Sequence, residues 1–175
     1  MSGSGGRPGG DAGDAVGDDA AVDDAGVDAG DDAGGVDAAG RRAALRLTPA
    51  QAAFVADRHL ATLTTHRRDG SAHVVPVAFT WDAAAGRARI TTRDGSVKAR
   101  NVERGEPGGG PARAVLCQVD GRRWLTLEGA AVLSRDADDI AAAVDAYAGR
   151  YRVLTFDPAR VVLHLVVDRV MGSVR

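Results

Sequence analysis

Beyond position 44 the chain alternates between short apolar runs and clusters of turn-forming residues. The runs are strand-sized and rich in Val, Leu and Thr, and Gly, Asp and Arg separate them. Runs of this length between turn signals indicate β-strands rather than long helices. The pattern predicts six strands, at residues 60–65, 71–81, 87–92, 113–119, 123–134 and 160–170.

Three segments carry the start signals of short helices. Thr48 and Gln51 form a capping box around Pro49, which predicts a helix to about residue 59. Ser96 and Asp136 are N-caps for a second and a third helix. Six mainly antiparallel strands with short inserted helices predict a mainly β fold, a small barrel whose closure removes the sheet edges.

Two residues interrupt predicted strands. Pro76 lacks an N–H donor in the middle of the run V-V-P-V, so that segment is either an edge strand or a backbone left open for a ligand. Gly129 indicates a β-bulge or a close approach of another backbone.

Composition divides the chain into an acidic tail, residues 1–43, and one domain of ordinary size, residues 44–175. The first forty residues hold ten Asp and one Arg and almost nothing to form a core, so we expect them to be disordered. Since the whole chain has a net charge of −2 and this stretch carries −9, residues 41–175 carry −2 − (−9) = +7.

The positive charge of the domain favours a small polyanionic ligand. The arginines are dispersed and the few aromatic residues do not alternate with them, which argues against nucleic acid. The single cysteine, Cys117, the lack of a signal peptide and the lack of a membrane-length apolar run predict a cytoplasmic protein without a membrane partner. The spacing of the four histidines matches no zinc site, so we expect no metal.

Residues 90–102 have the layout of a phosphate site. A strand ends at Asp94-Gly95, and Ser96 and Lys98 open the following helix. Free N–H groups, the helix dipole, a hydroxyl and an ammonium would converge on one anion. The alternative is a capped helix whose lysine faces water.

Five segments together resemble one enzyme family. They are H-L-A-T-L-T-T from His59, S-A-H-V-V-P-V-A-F-T from Ser71, S-V-K-A-R-N from Ser96, Q-V-D-G-R-R-W-L-T-L-E-G from Gln118 and R-V-V-L-H-L-V-V-D-R-V-M-G-S from Arg160. In this order they resemble the split-barrel flavin and deazaflavin oxidoreductases, a superfamily of the pyridoxamine-phosphate-oxidase type with an FMN-binding-protein-like split β-barrel.

The resemblance implies a homodimer that uses coenzyme F420, a polyanionic deazaflavin. It is strongest to members that transfer a hydride from the reduced coenzyme to a conjugated tetrapyrrole, with biliverdin reduced to bilirubin. An FMN-dependent oxidoreductase of the same barrel and a non-enzymatic deazaflavin-binding module remain the alternatives.

The resemblance also implies positions for the cofactor. The deazaflavin ring would lie along His73, Val74, Val75, Pro76 and Val77. The phosphate would be held by Thr92, Ser96, Val97, Lys98 and Ala99. A partner subunit would contribute Asp120, Gly121, Arg122, Arg123 and Trp124. No catalytic residue is certain, and the candidates for pairing with substrate carboxylates or relaying a proton are Arg67, Arg68, Arg122 and Arg123.

Overall fold

The computed structural model describes residues 45–174, so the expected tail, residues 1–43, lies outside the described part. The three helices in that part are α1 (Pro49–Ala56), α2 (Val97–Arg104) and α3 (Ala137–Arg150). The strands are β1 (Ala61–His66), β2 (Ala72–Val77), β3 (Thr80–Asp82), β4 (Arg87–Arg93), β5 (Arg113–Asp120), β6 (Arg123–Ser134) and β7 (Arg160–Gly172).

The expectation of six strands is wrong by one, because the predicted strand over residues 71–81 divides into β2 and β3. The division falls at Phe79. Its N–H donates to the Tyr151 hydroxyl at 3.3 Å, and its carbonyl oxygen accepts from Arg150. Since both polar groups of Phe79 are bonded to the end of α3, they are not available to a neighbouring strand.

The seven strands form one antiparallel sheet in the order β2-β1-β5-β6-β7-β4-β3. The sheet is not closed, so the expectation that closure removes its edges is wrong. The two edge strands, β2 and β3, follow each other in the chain through residues 78–79. β3 has only three residues, and β2 carries Pro76 opposite Thr62. A short strand and a proline are common protections of an exposed edge, and Pro76 does lie on an edge strand.

Gly129 satisfies both predictions made for it. The pairing of β6 with β7 shifts register between Glu128 and Gly129, which marks a bulge. A Cβ added at Gly129 would overlap the carbonyl oxygen of Val166. Any side chain at this position would therefore force the two strands apart.

The core is built from residues of the sheet together with residues of α1 and α2. Its fully buried large side chains include Phe54, Leu63, Phe79, Ile90, Leu116, Leu127, Leu163 and Leu165. The predicted capping box of α1 is confirmed, and Phe54 of α1 belongs to this core. No helix among residues 45–174 is long and apolar enough to cross a bilayer.

We call the region around Phe54, Gln118 and the start of β1 the α1 end. The buried Gln118 side chain donates to the carbonyl oxygen of Phe54 at 2.6 Å and accepts from Arg150 at 3.0 Å. Arg150 also donates to the carbonyl oxygen of Asp57 and lies over the ring of Phe79. One guanidinium thus joins α1, the link between β2 and β3, β5 and α3.

We call the region around Thr65, Asn101 and the last residues of β1 the α2 end. The buried Asn101 side chain donates to the hydroxyl of Thr65 at 3.0 Å. Arg104 donates to the carbonyl oxygen of His66 at 2.6 Å. These bonds fasten α2 across the last residues of β1. Because the first and last residues of β1 are separated by five steps of about 3.4 Å, the two ends lie about 17 Å apart.

Candidate functional site

The start of α2 has the predicted local geometry. The chain turns at Gly95, whose φ of 72° favours glycine, and Ser96 follows as the N-cap. The Ser96 hydroxyl accepts from the N–H of Ala99 at 3.4 Å and lies 3.2 Å from the hydroxyl of Thr92. The end of β4 and the first turn of α2 therefore present two hydroxyls side by side.

Lys98 lies in this first turn and is half-buried rather than facing water. Burial lowers the pKa of its ammonium group. Within residues 45–174 it has no ion-pair or hydrogen-bond partner among the protein's own groups. A half-buried ammonium without a partner costs stability, so an anion at this position would be held strongly.

His73 lies on the edge strand β2, opposite Thr65 of β1. Its Nδ1 atom is buried and has no hydrogen-bond partner. Burial is the main cause that lowers the pKa of His73, and the positive charges of Arg67 and Lys98 lower it further. Thr65, opposite His73, also accepts from Asn101 of α2, so α2 lies close to the start of β2.

The rest of the predicted ring-binding run follows β2 toward the α1 end. Val74 and Pro76 point outward and are exposed, Val75 packs against the core, and Val77 is buried. β2 has a strand partner on one side only, β1. Its other side therefore offers backbone polar groups and a flat apolar surface next to the α2 end.

The run 120–124 lies elsewhere in the chain, at the α1 end. Asp120 is 4.0 Å from His59, and it also pairs with Arg123, whose guanidinium lies 5.2 Å from the Phe54 ring centre. Ser173 fixes this turn by donating to the carbonyl oxygen of Arg122 at 3.0 Å and accepting from the N–H of Trp124 at 3.1 Å. Within one chain these residues do not reach the start of α2, and their approach from a partner subunit stays a prediction.

The four candidate arginines also lie in two separate places, two at the α2 end and two at the α1 end. Arg67 is beside His73 and donates to the hydroxyl of Ser71 at 3.3 Å, while Arg68 is exposed in the same turn. Arg122 and Arg123 are exposed at the α1 end. A single chain thus offers one arginine pair to a ligand at the α2 end.

The structure shows one residue of the α2 end that the sequence predictions missed. Asn101 docks α2 on β1, and its only sequence signal is that asparagine is a poor helix former in a helix interior. Lys98 is the only lysine in the chain, whose Lys and Arg residues total 22. The chain uses arginine for every other fixed positive side chain.

The loop between α2 and β5 is anchored by one carboxylate. Glu106 accepts from the N–H of Arg113 at 2.6 Å and lies 3.1 Å from Nδ1 of His66. A groove of about 370 Å³ runs between this loop, the second half of α2 and β6. No group of three or more His, Cys, Asp or Glu side chains within residues 45–174 is arranged to hold a metal ion.

Comparison with known proteins identifies the class. The pyridoxamine 5'-phosphate oxidase family matches residues 47–172, and the chain belongs to this family. The open sheet with its two joined edges is the family's split barrel, which confirms the predicted fold class.

Within this comparison, one relative has a high sequence identity to this chain. It is the F420H(2)-dependent biliverdin reductase of Mycobacterium tuberculosis, 47% identical over 128 residues that cover 73% of this chain and 89% of the relative.

Solved structures with lower identity share the fold. The conserved protein Rv2991 of Mycobacterium tuberculosis superposes with a TM-score of 0.60 at 23% identity, covering 75% of this chain and 87% of that one. An F420 reductase superposes with a TM-score of 0.54 at 20% identity, covering 67% of this chain and 93% of that one. At these identities the likeness concerns the fold alone.

Proposed function

We propose that this chain is a coenzyme F420-dependent oxidoreductase that reduces a conjugated tetrapyrrole, with biliverdin converted to bilirubin. The 47% identity to a biliverdin reductase named for F420H(2), over nearly all of that relative, is the observation that carries the proposal. Family membership supports a redox enzyme with a phosphate-bearing cofactor. The geometry of the α2 end supports the anionic character of that cofactor.

The described residues fit coenzyme F420. The site has an orphaned buried nitrogen in His73, an unpartnered ammonium in Lys98, and adjacent hydroxyls in Thr92 and Ser96. The phosphate would lie at the first turn of α2, where the N–H groups of Val97 and Lys98 and the Lys98 ammonium are available to an anion. The ring would lie along the free side of β2, from His73 to Val77.

The reduced coenzyme supplies a hydride when it is bound. The chain's own residues bind and orient the reactants. Lys98 and the α2 N–H groups fix the anionic end, while Val75 and Val77 pack into the core and hold β2 in place beside the ring. Arg67, next to His73 at the β1–β2 turn, can pair with a carboxylate of the acceptor. In the overall reaction one hydride reaches the central methine carbon of biliverdin, and one proton from solvent reaches a pyrrole nitrogen.

We also propose a homodimer, in which residues 120–124 of the partner subunit complete the site. Three exposed aliphatic side chains support an apolar contact surface: Leu60 is 60% exposed, Val74 55% and Val119 57%. Sedimentation of the purified protein should give twice the mass of one chain. A monomer at micromolar concentration would contradict this part of the proposal.

The test of function uses the purified full chain. Fluorescence titration should show binding of coenzyme F420, and the reduced coenzyme should be oxidised faster when biliverdin is added, with bilirubin as product. A yellow protein that releases FMN on denaturation and does not bind coenzyme F420 would overturn the cofactor assignment. Tight binding of coenzyme F420 without any acceleration by biliverdin would overturn the proposed reaction.

A further inference from the structure

The α2 end brings a histidine and two cations together. Thr65, the residue opposite His73 on β1, accepts from Asn101 of α2, so the helix lies beside His73. Arg67, in the β1–β2 turn, and Lys98, in the first turn of α2, are the charged groups that act on His73. Asp69 is a carboxylate in the same turn, but it is bonded to Ser71 and acts on Arg67.

This arrangement disfavours the protonated imidazole in the free protein. Burial and two nearby positive charges both disfavour a third charge, which lowers the pKa of His73. The Nδ1 atom is buried without a partner, so the imidazole has unused hydrogen-bonding capacity facing away from water. An anion placed between Lys98 and His73 would reverse the electrostatic balance, because it attracts the proton that the two cations repel.

We propose that His73 takes up a proton when an anionic cofactor binds at the α2 end, so that cofactor binding is coupled to protonation of this residue. The inference rests on the proposed function, since coenzyme F420 is the anion considered. It adds to that function a positively charged imidazolium that contacts the ligand and forms only in the complex. It also makes the affinity for the cofactor depend on pH.

The sign of the pH dependence follows from linkage. If binding raises the pKa of His73, the affinity gained from its charge is fully present below the pKa of the free protein. It is lost as the pH rises through the pKa of the complex. A difference of one pKa unit between the two states corresponds to about a tenfold change in affinity across this window.

The test compares the wild type with His73→Gln, which keeps a hydrogen-bonding amide but cannot titrate. Coenzyme F420 is titrated calorimetrically between about pH 5.5 and 8, in pairs of buffers that differ in ionisation enthalpy. Ionisable groups of the coenzyme titrate with both proteins, so the difference between the proteins reports His73. The wild type should take up a fraction of a proton more than the variant, and its affinity should fall more steeply with rising pH, by up to about tenfold.

The outcomes separate the inference from the proposed function. Equal proton uptake and equal pH dependence in the two proteins would overturn the role of His73, while binding itself would leave the proposed function standing. Failure of the wild type to bind coenzyme F420 at any pH would overturn both. If His73→Gln does not fold, nitrogen NMR of the four wild-type histidines replaces it. The signal assigned to His73 must then show a higher pKa with the coenzyme than without, and the lack of such a rise would overturn the inference.

Discussion

The two ends of the sheet treat their polar groups in opposite ways. At the α1 end Gln118 uses both its amide nitrogen and its oxygen, and Arg150 bonds to two backbone carbonyls. At the α2 end Lys98 has no partner within the described residues, and Nδ1 of His73 is buried without one. Buried polar groups are nearly always bonded in folded proteins, so the exceptions call for an explanation.

The difference separates a structural end from a binding end. The α1 end carries a buried cation as well, yet Arg150 and Gln118 are both bonded within the protein, so neither is free to recognise a ligand. At the α2 end the unpaired Lys98 and His73 lower the free energy of unfolding, and a bound anion would offset this loss. Both ends contain basic residues, so charge alone does not distinguish them. They differ in whether their polar side chains have hydrogen-bond partners within the protein.

The largest effect on the fold is expected at the α1 end. Arg150→Met keeps the aliphatic length but leaves the amide oxygen of Gln118 without its donor. It also removes one donor from each of the carbonyl oxygens of Asp57 and Phe79, which keep the His59 N–H and the Tyr151 hydroxyl. We expect a loss of about 3 kcal/mol in the free energy of unfolding, measured by urea denaturation. The affinity of the folded fraction for coenzyme F420 should change less than about twofold, because the sites are far apart.

Arg152→Met is the matched control for this prediction. Arg152 is exposed and lies two residues further along the chain. Its replacement should change the free energy of unfolding by less than about 0.5 kcal/mol. Similar losses in both variants would mean that the network around Arg150 does not hold the α1 end.

At the α2 end the expected effects are reversed. Lys98→Ala deletes a charge that acts together with the dipole of α2, so the affinity for coenzyme F420 should fall roughly ten- to a hundredfold. Stability without ligand should change by less than about 0.5 kcal/mol. The measurements are a fluorescence titration and a thermal melt without ligand.

Arg152→Met serves again, now as a control for net charge, since it removes one positive charge far from α2. Its affinity for the coenzyme should equal that of the wild type at moderate salt. A Lys98→Ala protein with unchanged affinity and a lowered melting temperature would show that this lysine is structural. The α2 end would then be a capped helix and not a binding site.

The sequence was sufficient for features that depend on local chemistry. The N-caps Thr48, Ser96 and Asp136 are all confirmed, because a cap is decided by residues within one turn of the helix. The bulge at Gly129 is confirmed for a similar reason. The split of β2 from β3 could not be predicted, since the groups that bind Phe79 come from residues more than seventy positions away.

In the candidate site, too, only the features set by neighbouring residues could be predicted from the sequence. The hydroxyls and the lysine at the start of α2 are neighbours in sequence, so their convergence could be predicted. The approach of His73 to Lys98 depends on how α2 docks against β1 through Asn101, which no local pattern encodes. The placement of residues 120–124 at the α1 end depends on the register of β5 with β1, which only the assembled sheet fixes.

The smallest predicted effect concerns a second buried histidine, which contrasts with His73. His164 is 3% exposed, and its Nε2 lies 3.3 Å from a carboxylate oxygen of Asp139 in α3. Arg87 and Arg89 of β4 also act on His164, and both are paired with Asp82. Burial is the main cause that lowers the pKa of His164, with Arg87 next, and Asp139 only partly opposes them.

A histidine with a lowered pKa in the folded state destabilises the protein on acidification. The unfolded chain takes up the proton at about pH 6.5, whereas the folded chain resists until a lower pH, so stability falls from about pH 6.5 downward to the pKa of the folded state. The pKa of Asp139 is lowered by its bond to Ser134 and by His164, so its own titration falls at still lower pH. Melting temperatures between about pH 7 and 5 therefore report mainly on the histidines.

We expect His164→Gln to reduce the drop in Tm between these two pH values by a few degrees. His73 has a lowered pKa as well and acts in the same direction, but it should respond to ligand, whereas His164 should not. Adding coenzyme F420 should therefore change the acid sensitivity of the wild type and of His164→Gln by the same amount. If the coenzyme changed the acid sensitivity of the wild type but not that of His164→Gln, then His164 would be the histidine that takes up a proton on binding. The contrast drawn between His73 and His164 would be wrong.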